Sequence, residues 1–144
     1  MVVPDVNVLL YAVDSASVHH EESLEWLERS LSGAETVGLS WVVLLAFIRI
    51  ATNPAIYSNA VGVDDATGQV QSWLGAPVAV VVAPTARHGE VLRGLLLEAG
   101  TAGNLTTDAH LAALAIEHGA ELVSYDRDFG RFQGLRHRLP SAWR

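Results

Sequence analysis

The sequence predicts an α/β layer fold, a central and mostly parallel sheet flanked by helices, and three observations carry that reading. Short apolar runs alternate with stretches of helical periodicity. Gly and Pro mark the joins between them. Half of the residues are hydrophobic and only 17% are charged, a balance that calls for a buried core. A length of 144 residues fits one domain over 1–144, and no repeat, low-complexity tract or linker divides it.

Val2 and Val3 begin a short buried strand, and Asp5 closes that apolar run. The next predicted element is a helix over 19–31, with Leu24, Trp26, Leu27 and Leu31 facing inward and acids outward. Gly33 marks a turn, and residues 36–39 read as a second strand. An apolar helix over Trp41–Ala51 stops before Asn53 and Pro54. Asp64 and Asp65 suit the positive end of a helix that runs through Val70 and Trp73 to Leu74, where Gly75 and Pro77 end it.

Residues 78–82 form a continuous apolar run without a polar face, which reads as a fully buried strand ended by Pro84. A helix over 85–98 follows. The break at Gly100 and Gly103 leads to a helix over 107–118 whose apolar face is Leu111, Ala112, Ala115 and Ile116. Gly119 reads as its C-terminal cap and residues 121–124 as the next strand.

Composition narrows the function. With no cysteine, neither a disulfide framework nor a thiolate zinc site is available, and a reducing cytoplasm fits best. No basic segment precedes the first apolar run, and no apolar stretch reaches the roughly 18 residues of a membrane span. A net charge of −7 argues against coating nucleic acid through the whole surface, since phosphate binding needs local positive potential. That potential is uneven: every basic side chain is an arginine, and Arg127, Arg131, Arg136, Arg138 and Arg144 crowd the last stretch. Arginine holds phosphate through a two-pronged fork. No GxxxxGK[ST] loop occurs, and the lack of lysine argues against a phosphoryl-transfer receiver.

The candidate chemistry rests on aspartates. In a parallel sheet, ligands gather beyond the C-terminal strand ends, where Asp5 and Asp126 both emerge. Asp108 stands at the start of its helix, and three carboxylates turned to one point repel unless a cation intervenes. Mg²⁺ is the natural cation for hard oxygen ligands, with Mn²⁺ as its substitute. Taken singly, Asp108 is equally a helix cap, Asp5 a loop acceptor and Asp126 a turn residue; together they point to a divalent-metal nuclease. Asp128 is either a further acceptor beside the metal or the partner of a neighbouring arginine. His110, two positions after Asp108, does not share its helix face and reads as structural or surface. Trp26, Trp41 and Trp73 read as core or interface, and Trp143 as an RNA or subunit contact.

Three segments carry a family resemblance: Val3-Pro4-Asp5-Val6-Asn7-Val8-Leu9-Leu10, Asn104-Leu105-Thr106-Thr107-Asp108-Ala109-His110-Leu111-Ala112 and Ser124-Tyr125-Asp126-Arg127-Asp128-Phe129. In order and spacing the chain resembles PIN-domain ribonucleases, and the stretches Trp41 to Pro54 and Phe129 to Leu135 resemble the VapC toxins of actinobacterial type II toxin–antitoxin modules. The resemblance implies a PIN-like three-layer domain and Mg²⁺-dependent endonucleolytic cleavage of a structured RNA, with transfer RNA the first guess. It implies hydrolysis by water, leaving a 5′-phosphate and a 3′-hydroxyl, and restraint by a VapB-like antitoxin. Asp5 and Asp108 then hold the metal, and Asp126 is a direct or water-mediated ligand. Asn7 orders the Asp5 loop or a metal-bound water, while Arg49, Arg127 and Arg131 are the candidate RNA contacts. A homodimer is also expected.

One position departs from the pattern. Many PIN domains carry a metal-site glutamate in the helix after the second strand, where this chain has Ala46. Alanine cannot bind a metal, so an alternative class stands beside the nuclease: an RNA-binding or interaction protein of the same fold with a weakened or inactive metal site.

Overall fold

The computed structural model describes residues 1–142, and Trp143 and Arg144 lie outside the described residues. Five strands form one wholly parallel sheet: β1 Val2–Pro4, β2 Val37–Leu39, β3 Ala79–Val81, β4 Glu121–Val123 and β5 Arg136–Arg138, in the order β3-β2-β1-β4-β5. Six α-helices flank it: α1 Val6–Val13, α2 His20–Leu31, α3 Trp41–Ala51, α4 Val63–Leu74, α5 His88–Ala99 and α6 Thr106–Glu117. Helix α1 packs on α2 and α3, and α3 on α4, while α5 pairs with α6.

The strand order contains the feature that positions the site. From β1 the chain builds outward through β2 and β3, then returns to add β4 on the other side of β1. The crevice between the C-terminal ends of β1 and β4 is therefore a topological switch point, the place where loops diverge to opposite faces and leave room for a ligand. Val2 pairs with Glu121 and Pro4 with Val123, so the residues that follow, Asp5 and Ser124, leave the sheet side by side.

The central strands are apolar on both faces because helices cover both: Val2, Val3, Val37, Leu39, Leu122 and Val123 are all buried. Phe47, Leu9, Leu44, Leu114 and Phe129 fill the space between sheet and helices. Trp73 meets Phe47 edge-on at 4.8 Å between ring centres, the geometry that aromatic quadrupoles favour. Gly38 in β2 is required by packing: a Cβ there would lie 2.8 Å from Val82 Cγ1 and 3.1 Å from both Met1 Sδ and Val3 Cγ2.

Helix α6 stops as its sequence predicts. Gly119 takes a left-handed φ of 62°, the N–H of Ala120 reaches the carbonyl of Ala115 at 2.8 Å, and the N–H of Gly119 reaches that of Ile116 at 3.1 Å. This pair of bonds satisfies carbonyls that the helix end would leave open.

Several elements differ from expectation. The run over 78–82 is not a buried central strand: β3 is an edge strand, with Val80 41% and Val81 48% exposed. Apolar continuity shows that a strand is favoured, but its place in the sheet depends on long-range order. Residues 6–13 form α1, which the sequence reading passed over, since Asp5 stops the strand by capping a helix and not by starting a loop. Strand β5, built from Arg-His-Arg, carries no apolar signal and exists through pairing with β4. Helix α5 begins at His88, three residues later than expected, because residues 85–87 form a turn held by the Thr85 side chain. In α2, Trp26 and Leu27 are buried as expected, whereas Leu24 and Leu31 are only partly so and Ser23 and Ser30 complete the inner face. Trp41 is 46% exposed, unlike the core residues Trp26 and Trp73.

Candidate functional site

Asp5 is the organising residue of the switch-point crevice. Its side chain caps α1, with Oδ1 accepting from the Val6 N–H at 2.7 Å. Its backbone N–H still belongs to the sheet, bonding the Val123 carbonyl at 2.9 Å. Oδ2 accepts from the Ser124 hydroxyl at 2.7 Å and from Asn7 Nδ2 at 3.4 Å. One carboxylate thus ties β1, α1 and the end of β4 together.

Ser124 completes the knot. Its Oγ donates to Asp5 and accepts from Asn7 Nδ2 at 3.2 Å and from the Asp126 N–H at 3.0 Å, which uses the one proton and both lone pairs of a hydroxyl. Asn7 Oδ1 accepts from the Tyr125 N–H at 3.2 Å. Asp126 in turn accepts from the Asp128 N–H at 2.9 Å and opens the short 3-10 turn Arg127–Arg131. The Asp5 loop and the Ser124–Asp128 loop therefore hold one another across 119 residues of sequence.

Tyr125 anchors this loop to α2. Its hydroxyl donates to Glu22 Oε1 at 2.7 Å and accepts from Ser23 Oγ at 2.9 Å. Its ring stacks on His19 at 4.3 Å and meets Tyr11 edge-on at 5.3 Å. The sequence places Ser124 and Tyr125 in a family segment but gives neither a role; the available signal was a hydroxyl at the end of a strand, two residues before an aspartate.

The electrostatics show which acids share a field. Burial, above all, pushes the Asp5 carboxyl above its ordinary range; bonds from Ser124 and Val6 counter it, and the charge of Asp126 adds to it. Asp108, in the first turn of α6 and half-buried, is also raised, first by burial and then by the charges of Asp5, Asp126 and Asp128, with Arg131 pulling the other way. Asp126 thus acts on Asp5, and Asp5, Asp126 and Asp128 act on Asp108. Among the described residues, however, no three His, Cys, Asp or Glu side chains already converge as a ligand cage.

The donor chemistry suits a hard cation. Asp5 and Asp108, raised above all by burial and then by neighbouring acids, are relieved by added positive charge, and Mg²⁺ needs only one or two carboxylates because it retains water. Asp5 and Asp108 are the residues that would hold it, with Asp126 and Asp128 at hand. Ala46 lies partly buried on α3 and supplies no donor. Arg131 is the arginine whose charge reaches Asp108. Arg49 and Arg127 are exposed. His110 turns to α5, where its ring meets His88, consistent with its separation from the Asp108 face.

A family model for the PIN domain matches residues 2–135. Ribonuclease VapC37 of Mycobacterium tuberculosis is 53% identical over 142 residues, covering 99% of both chains. The chain belongs to the PIN-domain family, among the VapC ribonucleases. A second VapC member, Ribonuclease VapC33 of M. tuberculosis, is 38% identical over 140 residues, covering 97% of this chain and 98% of the relative. Among solved structures, the fold is similar to VapBC2 from Rickettsia felis bound to a DNA fragment from their promoter, with a TM-score of 0.68 at 20% identity, covering 96% of this chain and 98% of that one. It is also similar to the sarcin-ricin loop cleaving toxin VapC20 of M. tuberculosis, with a TM-score of 0.67 at 17% identity, covering 94% and 99%. These two likenesses concern the three-layer PIN fold.

Proposed function

We propose that this VapC chain is a metal-dependent endoribonuclease toxin that cleaves a structured RNA, transfer RNA first, and is restrained by a VapB antitoxin. The observation that carries the reading is the bonded pair of loops that sets Asp5 and Asp126 at the adjoining ends of β1 and β4, with Asp108 in the first turn of α6 feeling the charge of both. When bound, Mg²⁺, or Mn²⁺ in its place, would lower the pKa of the attacking water and offset charge on the phosphate.

The chain's own residues do the rest. Asp5, clamped by Ser124, Asn7 and the Val6 N–H, presents a fixed carboxylate that pays no ordering cost on binding. Asp108, in the first turn of α6, and Asp126, in the 124–128 loop, would complete the ligand set. Arg131 beside Asp108 offers a fork for the phosphate on the scissile strand, and Arg49 and Arg127 are outlying candidates. An acidic protein with few cations gains selectivity from RNA shape, so a folded loop with splayed bases suits it better than bulk RNA.

The names of the relatives support RNA as substrate, and the VapBC complexes among the structural neighbours support a VapB partner. The exposed pair Trp41 and Leu45, one turn apart on α3, supports burial of that face in a homodimer or by the antitoxin. No helix among the described residues is long and apolar enough to cross a membrane, and the reading places the protein in the cytoplasm with its RNA. Mapping new RNA 5′ ends after induced expression, with and without the antitoxin, tests the proposal; uniform digestion of all RNA would contradict the selectivity. Ala46 favours a second reading, an RNA-binding protein with a weakened metal site, which predicts RNA binding without cleavage at any Mg²⁺ or Mn²⁺ concentration.

A further inference from the structure

Away from the acid cluster, ligating side chains gather where α5 meets α6. The Glu117 side chain has no solvent exposure. Its Oε1 accepts from the Thr85 N–H at 2.9 Å and the Thr85 hydroxyl at 2.7 Å, and its Oε2 contacts His88 Nδ1 at 2.5 Å. The other nitrogen of that ring, Nε2, faces His110 Nδ1 at 2.9 Å. The His88 side chain is 13% exposed and His110 is half-buried, so water reaches the pair.

The hydrogen-bond partners assign the tautomers. With both rings neutral, the state that binds a cation, an ionised Glu117 only accepts, so His88 carries its proton on Nδ1 and a lone pair on Nε2. His110 therefore donates from Nδ1. A single proton lies between two imidazole nitrogens, and a buried carboxylate holds the first ring from behind. Carboxylate to imidazole to cation is the arrangement that orients a metal-binding histidine.

We propose that His88 Nε2 and His110 Nδ1 form a second metal site, for a divalent ion that prefers imidazole, Zn²⁺ foremost, with Glu117 orienting His88 and water completing the coordination. Its ligand class separates it from the aspartates: imidazole suits Zn²⁺, Ni²⁺ and Cu²⁺, whereas carboxylate suits Mg²⁺ and Mn²⁺. Two nitrogens at about 2.0–2.1 Å from a tetrahedral Zn²⁺ stand about 3.3 Å apart, so the pair opens by a few tenths of an ångström and each ring turns by roughly 35° to aim its lone pair at the ion instead of at the other nitrogen. The proton of His110 moves from Nδ1 to Nε2. That is a change of tautomer, with no proton lost to solvent. The bound ion ties α5 to α6, the helix that carries Asp108.

The test is Zn²⁺ titration of the intact chain, by calorimetry in excess Mg²⁺ and by side-chain NMR of its six histidines. The proposal expects saturable 1:1 binding that persists in Asp108→Asn, heat independent of the buffer's ionisation enthalpy at a pH where both rings are neutral, and ring signals that move for His88 and His110 but not for His19, His20, His118 or His137. His88→Gln and His110→Gln each lose at least about tenfold in affinity, and Glu117→Gln loses about 10-fold to 100-fold. Absence of saturable binding, competition by Mg²⁺ or response at other histidines overturns it. Should a variant fail to fold, the NMR titration of the unaltered chain decides alone.

Discussion

Ser124→Ala removes one oxygen from the centre of the site and little volume. Three bonds go with it: the 2.7 Å bond to Asp5 Oδ2, the 3.2 Å bond from Asn7 and the 3.0 Å bond from the Asp126 N–H. Asp5 Oδ2 keeps only the 3.4 Å contact to Asn7, and the N–H that sets Asp126 loses its acceptor. A hydrogen bond to a charged group is worth about 1.5–3 kcal/mol, and each 1.36 kcal/mol is about tenfold in rate. Single-turnover RNA cleavage should therefore fall by about 10-fold to 150-fold if the bond acts in the transition state. The direction with pH is also fixed. The Ser124 bond lowers a carboxyl that burial raises, so its loss pushes Asp5 further up and moves the acid limb of the rate profile to higher pH. Ser124→Thr keeps the hydroxyl and should recover most of the rate and the original limb. An alanine variant with native rate and an unmoved limb, or a threonine variant as impaired as alanine, would falsify the reasoning.

Other outcomes follow from the same geometry. Asp108→Asn should lose most cleavage yet melt higher than the unaltered chain in chelator, because it removes a carboxylate raised by burial and by three like charges; equal or lower melting temperature contradicts this. The folded-state pKa of Asp108 is raised, so protonation favours the folded chain and its ionisation cost grows as pH rises through that pKa. The melting advantage of Asp108→Asn should accordingly shrink as pH falls towards 4, measured by calorimetry without metal. Ala46→Glu should tighten Mg²⁺ or Mn²⁺ binding by adding a carboxylate, and unchanged affinity in a titration would show that the extra ligand belongs elsewhere. Gly38→Ala forces a methyl against Val82, Val3 and Met1, which should cost about 1–3 kcal/mol and lower the melting temperature by roughly 2–4 °C per kcal/mol.

The sequence was most legible where chemistry is local. Asp64 and Asp65 at a helix start and Gly119 at a helix end each follow from bonding within a few residues, and each appears in the fold, whereas α6 is buried beyond the face its sequence marks, with Ala113 and Leu114 as enclosed as Leu111 and Ala112. Long-range choices were harder to read. Nothing within 78–82 says that β3 occupies an edge, and nothing in Arg-His-Arg says that β5 pairs with β4. Asp5 illustrates the limit at the site. Its residue type marked it as a candidate, but its double duty as helix cap and partner of Ser124 depends on the register of β1 with β4. His110 was separable from Asp108 by helical spacing, whereas its bond to His88 required the packing of α5 on α6.

The bond between Asp5 and Ser124 joins the two ends of the molecule, and that has a consequence for synthesis. A ribosome delivers Asp5 first and Ser124 119 positions later, and until β4 docks beside β1 the first aspartate has neither its hydroxyl clamp nor its neighbour Asp126. Nascent chains therefore carry no assembled site until Ser124 has emerged. Whatever cleavage the protein performs switches on only after β4 has docked beside β1, so the order in which the strands arrive keeps the growing chain inactive.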